Sequence, residues 1–310
     1  MSAYAMDKLF ESVRDKGHVC VGLDTAAEYI PPAERHRCNC DADAVLAYNR
    51  ALVDAVIDTA ACFKVQIAYY EEMGVAGLSA YAQTLKYIRQ RGALVIADVK
   101  RSDIADTADR YARAHFCGDF EADFVTLSPY MGMDSIDPWL ALAENREKGA
   151  FVLLRTSNKG MRDFEYLHIV QDDTNKKDRR LYHAVGDKLA KLAEDHKTKS
   201  GYGIFGAVVG ADPKSGDERE EALEIRRLYK DLFFLIPGYG AQGGAADDAA
   251  LLLREGNGGV VNASRSILKA WTKDAAGMDM EKVDNNFAAS SARKAALEMR
   301  DAIRAAVQKS

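Results

Sequence analysis

Three charged residues, Asp98, Lys100 and Asp103, stand where the apolar run at 93–96 ends, in ALVIADVKRSDIADTA. Side chains alternate across an extended segment, so Asp98 and Lys100 point one way while Ala97 and Val99 point the other. A carboxylate and an ammonium presented together at a strand end can act on one atom of a substrate, and the ammonium can also deliver a proton. A purely structural reading is available too: an ion pair at Asp98 and Lys100, with Ser102 or Asp103 capping the helix that 103–116 predicts. That reading leaves two inward charges without a purpose, because a buried ion pair is a weak source of stability. Lys64 in CFKVQ and Asp24 in VGLD sit at two earlier apolar runs, so three successive runs each deliver charge.

Two later stretches suit an anion. IPGYGAQGG (236–244) is a glycine-rich turn containing Gln242, and NASRSI (262–267) sets Arg265 at the start of a predicted short helix. Backbone amides, a helix start and a cation are what a phosphate group needs, and the last two loops of an α/β barrel often supply them. A phosphomonoester substrate is the expectation.

These residues need a frame that brings distant strand ends together. Apolar runs recur at 18–24, 62–66, 93–100, 123–128, 150–157, 204–211, 232–238 and 258–263, each continuous rather than alternating, as strands covered by helices on one side and packed on the other should be. Helical spacing fills the intervals, as at 44–60, 79–92 and 179–196. Eight β-α units predict a closed (β/α)₈ TIM barrel occupying 1–310 as a single domain, and no GxGxxG follows the first run to favour a dinucleotide fold. In such a barrel the shared direction of Asp98 and Lys100 is the interior at the C-terminal mouth, where Lys64 also belongs by position. The polar stretch 158–180 is too long for a simple connection and reads as an extended loop or surface insertion. A long amphipathic helix over 285–308 ends the chain.

Composition narrows the function. The chain is 48% hydrophobic and 29% charged with a net charge of −5, so it is a globular protein without the basic surface that nucleic acid requires. Five cysteines without a CxxC pair indicate neither a disulfide framework nor a zinc ribbon, and point to reduced thiols in the cytoplasm. His36, Cys38 and Cys40 are close together, but no second ligand pair follows at zinc-site spacing. No window is long and apolar enough to span a membrane.

IADVKRSDIADTA matches D-x-K-x-x-D-I-x-x-T at Asp98, Lys100, Asp103, Ile104 and Thr107. With VGLD, FKVQ, RTSNKG (Ser157), PGYGAQGG and NASRSI in order along the chain, the sequence resembles the orotidine 5′-phosphate decarboxylase family, in its longer bacterial subgroup. Thr25 and Lys159 stand where that family commonly has proline.

The resemblance implies loss of CO₂ from C6 of orotidine 5′-monophosphate to give UMP in pyrimidine biosynthesis, with no metal or organic cofactor. It makes Lys100 the proton donor within a Lys64–Asp98–Lys100–Asp103 charge network. It assigns Asp24 to the ribose, Ser157 to the pyrimidine ring, and Gln242, Arg265 and the amides near Ser264 to the phosphate. It further implies a homodimer in which Asp103 and Thr107 reach the neighbouring subunit's site. Two alternatives remain at this stage: a Mg²⁺-dependent sugar-phosphate barrel, against which Lys64 stands where an acidic ligand is needed, and a non-catalytic phosphate-binding scaffold.

Overall fold

The structure, a computed structural model, describes residues 3–169, 179–211, 216–240 and 245–309. Each apolar run forms a strand: β1 (Val19–Gly22), β2 (Cys62–Gln66), β3 (Val95–Arg101), β4 (Phe124–Leu127), β5 (Gly149–Arg155), β6 (Phe205–Val209), β7 (Phe234–Ile236) and β8 (Gly259–Ala263). All pair in parallel with their sequence neighbours, and β8 returns to β1, so the expected barrel closes.

The continuous runs serve two apolar layers. Cys20, Cys62, Ile96, Phe124, Phe151, Val208, Leu235 and Val260, one from each strand, fill the interior. Met6, Leu9 and Val13 of the helix Ala5–Lys16 join this cluster at helical spacing and close the N-terminal end of the barrel. Outward-facing residues such as Ala97 and Val99 belong to the layer between strands and helices. The last helix, Asn285–Val307, contributes Ala288, Ala292, Ala296, Met299 and Ile303 to that layer, and the Asp284 carboxylate caps it by accepting from the Phe287 amide, 2.8 Å. With aromatic rings filling the middle, the polar residues farther along the strands emerge at the C-terminal mouth.

Several local expectations need correcting. The helix expected at 79–92 is Gly74–Gln90, starting earlier through GVAG, which has little helical pattern of its own. The helix expected at 103–116 begins at Ala105, and neither Ser102 nor Asp103 caps it: Asp103 Oδ1 accepts from the adjacent Ile104 amide, 2.8 Å, instead of from the first turn. The stretch 158–180 is more ordered than a plain loop where it is described, 170–178 lying outside the described residues. It contains the 3₁₀ turn Lys159–Asp163 and an antiparallel bridge between His168 and Arg180. Tyr166 and Arg180 both bond Glu221 of the helix Gly216–Leu228, which fastens the insertion to the barrel wall.

Among the described residues no helix is long and apolar enough to cross a membrane.

Candidate active site

The strand ends surround a cavity of about 450 Å³, within the roughly 300–1,000 Å³ usual for small-molecule sites. Asp98, in the middle of β3, anchors its floor. Its Oδ2 accepts from Lys64 Nζ at 2.8 Å and Gln66 Nε2 at 2.9 Å, and its Oδ1 from Lys100 Nζ at 2.7 Å and Thr126 Oγ1 at 2.8 Å. Lys64 Nζ reaches on to Asp24 Oδ1 at 3.0 Å, and Ser264 Oγ donates to Asp24 Oδ2 at 2.9 Å. The chain of contacts therefore runs Ser264–Asp24–Lys64–Asp98–Lys100 across β8, β1, β2 and β3. Gly22 permits the first link, since a Cβ there would lie 2.0 Å from Ser264 Oγ.

Burial would push the Asp98 carboxyl up, but Lys64 and Lys100 outweigh it and hold the group well below the usual carboxylate range. Burial would likewise lower Lys64, and Asp24 and Asp98 more than reverse that, so its ammonium is held above the ordinary lysine value. Asp98 and Lys64 are thus fixed as ions. The Lys64 side chain is 6% exposed and that of Asp98 7%, whereas that of Lys100 is 48% exposed. Both lysines line the cavity, and Lys100 is the more open of the two to a ligand.

The opposite rim comes from β5 to β8. Ser157 and Thr156 follow β5 and line the cavity, as do Tyr239 after β7 and Arg265 after β8. Thr156 is held from the insertion: Glu165 Oε2 accepts from its amide at 2.9 Å and Glu165 Oε1 from its hydroxyl at 2.7 Å. Gly210 admits Ser157, because a Cβ there would stand 2.7 Å from Ser157 Cβ. Arg265 starts the short helix Arg265–Leu268 as the pattern predicts, and it is exposed, with no carboxylate partner among the described residues.

The residues singled out in the sequence therefore divide. Asp24, Lys64, Asp98, Lys100, Ser157, Ser264 and Arg265 line one cavity. Asp103 and Thr107 do not, the first half-buried and the second exposed on the rim beyond β3. Gln242 lies outside the described residues. Sequence reading passed over Gln66, Asn262 and Thr126, which also line the cavity. Gln66 lies two residues after Lys64 and Asn262 two before Ser264, so strand alternation carried a signal for both. Thr126 gave none, since threonine is an ordinary strand residue.

Comparison with known proteins places the chain in a family. The profile of the orotidine 5′-phosphate decarboxylase / HUMPS family matches residues 17–279. The chain is 52% identical over 303 residues to an orotidine 5′-phosphate decarboxylase of Clostridium perfringens, covering 98% of this chain and 99% of that one. It is 50% identical over 299 residues to that of Clostridium acetobutylicum, covering 96% and 98%. The structure of Leishmania donovani OMP decarboxylase superposes with a TM-score of 0.72 at 28% identity, covering 98% of this chain and 99% of that one. A profile match across most of the chain and half-identical relatives along nearly all of it make this protein a carboxy-lyase that belongs to the orotidine 5′-phosphate decarboxylase / HUMPS family.

Proposed function

We propose that the enzyme decarboxylates orotidine 5′-monophosphate to UMP and CO₂ in pyrimidine biosynthesis, as a cytoplasmic homodimer that uses neither metal nor organic cofactor. The observation that carries this reading is the Asp98 carboxylate with a lysine on each oxygen, both lining the cavity and Lys100 the more exposed of the two. The second branch of the family name is disfavoured by Lys64. A Mg²⁺-dependent enediolate mechanism needs an acidic ligand at the end of β2, and an ammonium there repels a divalent cation.

In the proposed reaction the phosphate rests on Arg265, Gln242 and the amides near Ser264, the ribose on Asp24 and Lys64, and the pyrimidine against Ser157. The C6–carboxylate bond breaks, CO₂ departs, and its electron pair stays on C6. Lys100 stabilises that developing charge and passes one ammonium proton to C6. Asp98 sits beside the leaving carboxylate and holds Lys100 in place. Because these ions are assembled beforehand in a largely buried floor, they need no reorganisation as charge develops.

Asp103 and Thr107 enter the reading through a second subunit. Large apolar side chains stand exposed in the segments that follow β2, β3 and β4: Val75, in the first turn of the helix Gly74–Gln90, at 86%, Ile104 at 47% and Tyr130 at 80%. Exposed large apolar groups suit a contact surface, and Asp103 and Thr107 are close to Ile104 in the chain. This supports a dimer in which the partner subunit's Asp103 and Thr107 complete the network.

The test is the absorbance change of orotidine 5′-monophosphate on adding purified protein, with and without EDTA, beside Lys100→Ala and Asp103→Ala. We expect conversion that EDTA leaves untouched and that falls at least ~10⁴-fold in Lys100→Ala, which loses both proton donor and charge stabilisation. Mixing the two variants should restore about a quarter of wild-type activity, since half the random dimers carry one intact composite site. No conversion, or conversion that EDTA abolishes, would sink the reading. Absence of rescue on mixing would remove the shared site.

A further inference from the structure

We infer that Thr126 is the positioning residue of the catalytic charge pair: its hydroxyl locks the bulge in β3 that sets Lys100 Nζ against Asp98. The inference rests on the decarboxylase reading and adds to it a neutral residue of the neighbouring strand.

Register gives the first observation. Across β3 and β4, Ala97 pairs with Val125 and Arg101 with Leu127, so Asp98, Val99 and Lys100 all stand opposite the single residue Thr126. Three residues against one leave backbone amides without ladder partners, and buried amides must find others. Both go to one atom. Thr126 Oγ1 accepts from the Val99 amide at 3.0 Å and the Lys100 amide at 2.9 Å, and its own proton goes to Asp98 Oδ1 at 2.8 Å.

A hydroxyl has one proton and two lone pairs, and here all three are used. The direction is forced, because an ionised carboxylate and two amides leave the proton nowhere else to point. Lys100 adds the second observation: its φ is +43°, in the left-handed region that side-chain-bearing residues leave unless something holds them. The hydroxyl that holds this backbone also holds the carboxylate that Lys100 Nζ contacts at 2.7 Å, so main chain, anion and cation are referenced to one oxygen. Thr126 is 1% exposed and β-branched, hence stiff at χ1. With its hydrogen-bonding capacity consumed by the protein, it has no hydrogen bond left for a ligand and acts on the reaction through Lys100 and Asp98.

The test compares Thr126→Val, which keeps the shape and deletes the hydroxyl, with Thr126→Ser, which keeps the hydroxyl. Thr126→Val should lower kcat by about 10²-fold while KM moves less than about threefold, because the charge pair acts in the transition state and phosphate and ribose contacts set binding. Thr126→Ser should recover kcat to within about fivefold of wild type. A readout without turnover is the rate of reductive methylation of Lys100, followed by mass spectrometry, which should rise several-fold in Thr126→Val as Nζ loses its fixed place. If Thr126→Val does not fold, Thr126→Cys, a weak donor and weak acceptor, carries the same comparison. A kcat within about threefold of wild type in the hydroxyl-free variant, or unchanged Lys100 labelling, overturns the proposal. If wild-type protein leaves orotidine 5′-monophosphate intact, the decarboxylase reading fails by itself, and the labelling comparison still judges Thr126.

Discussion

On the β1–β4 side of the mouth, Asp24, Lys64, Gln66, Asp98, Lys100 and Thr126 bond to one another within a mostly buried floor. On the β5–β8 side, Ser157, Tyr239 and Arg265 face the cavity, and Arg265 is exposed without a carboxylate partner among the described residues. One rim is already bonded to itself before any ligand arrives, whereas the other offers a cation that a ligand has yet to meet. The difference follows from what each rim is proposed to do. Groups that stabilise developing charge work best when fixed in advance, and groups that capture a phosphate lose nothing by being solvated until it comes. Substitutions should therefore separate the rims, damage on the first reaching rate and fold together and damage on the second reaching binding alone.

The largest combined effect on fold and rate is expected from Lys64→Met. It leaves Asp98 buried without its Oδ2 cation and Asp24 without its lysine, and removing one partner of a buried pair costs about 3–5 kcal/mol. Denaturant unfolding should show that loss alongside a kcat reduced at least ~10³-fold. The same pair fixes the pH dependence of stability. Asp98 is held below 3.8, so its contribution is present above that value and fades as pH falls toward the folded value; Lys64 is held above 10.5, so its contribution is present below that and fades as pH rises. Between those limits the wild-type minus Lys64→Met stability difference should be flat with pH. A slope near neutrality would mean that the floor is not the fixed ion array described.

Arg265→Ala probes the other rim. It removes an exposed side chain with no internal partner to orphan, so the unfolding midpoint should stay within error of wild type. The loss should appear in KM, lowering kcat/KM by about 10²-fold with kcat little changed if phosphate contact is equal in ground and transition states. A fall in kcat of the same size would show instead that phosphate binding drives closure over the substrate, and would erase the division between the rims.

The two rims also differ in how far the sequence reveals them. Eight strands are legible because a parallel sheet demands continuous apolar runs, and Lys64, Asp98 and Lys100 stand out because charge at the end of such a run has no cheap structural reason. The bulge in β3 is not legible. Alternation predicts that Asp98 and Lys100 share a face, and they do meet, but through three residues opposing Thr126 and a left-handed Lys100 that no pattern of residue types announces. Asp103 illustrates a different limit: it lies past the end of β3, where strand alternation no longer says which way a side chain points, and it falls outside the cavity lining. The insertion illustrates a third, since Glu165 is one acidic residue among many in a polar stretch until the fold returns it to Thr156.

That return ties the insertion to the second rim and leads to the smallest expected effect. Burial pushes the Glu165 carboxyl above its ordinary 4.5, with Glu221 adding to the rise, while the Thr156 bonds and Arg155 oppose it. Glu221 and Arg155 are the charged groups facing it, from the helix Gly216–Leu228 and from β5, with Tyr166 beside them in the insertion. Ionised, Glu165 accepts both the amide and the hydroxyl of Thr156, and so steadies the loop that carries Ser157. Protonated, it must turn one oxygen into a donor and gives up half of that grip. The sign follows: as pH falls through the raised value, the loop loosens and KM should rise by about two- to fivefold, with kcat following less. Glu165→Gln, permanently neutral, should show the higher KM across the whole range and lose that acidic limb, while Arg265→Ala should keep it. If Glu165→Gln retains the acidic limb, the insertion is only fastened to the barrel wall, and the second rim holds its pyrimidine contact without help from it.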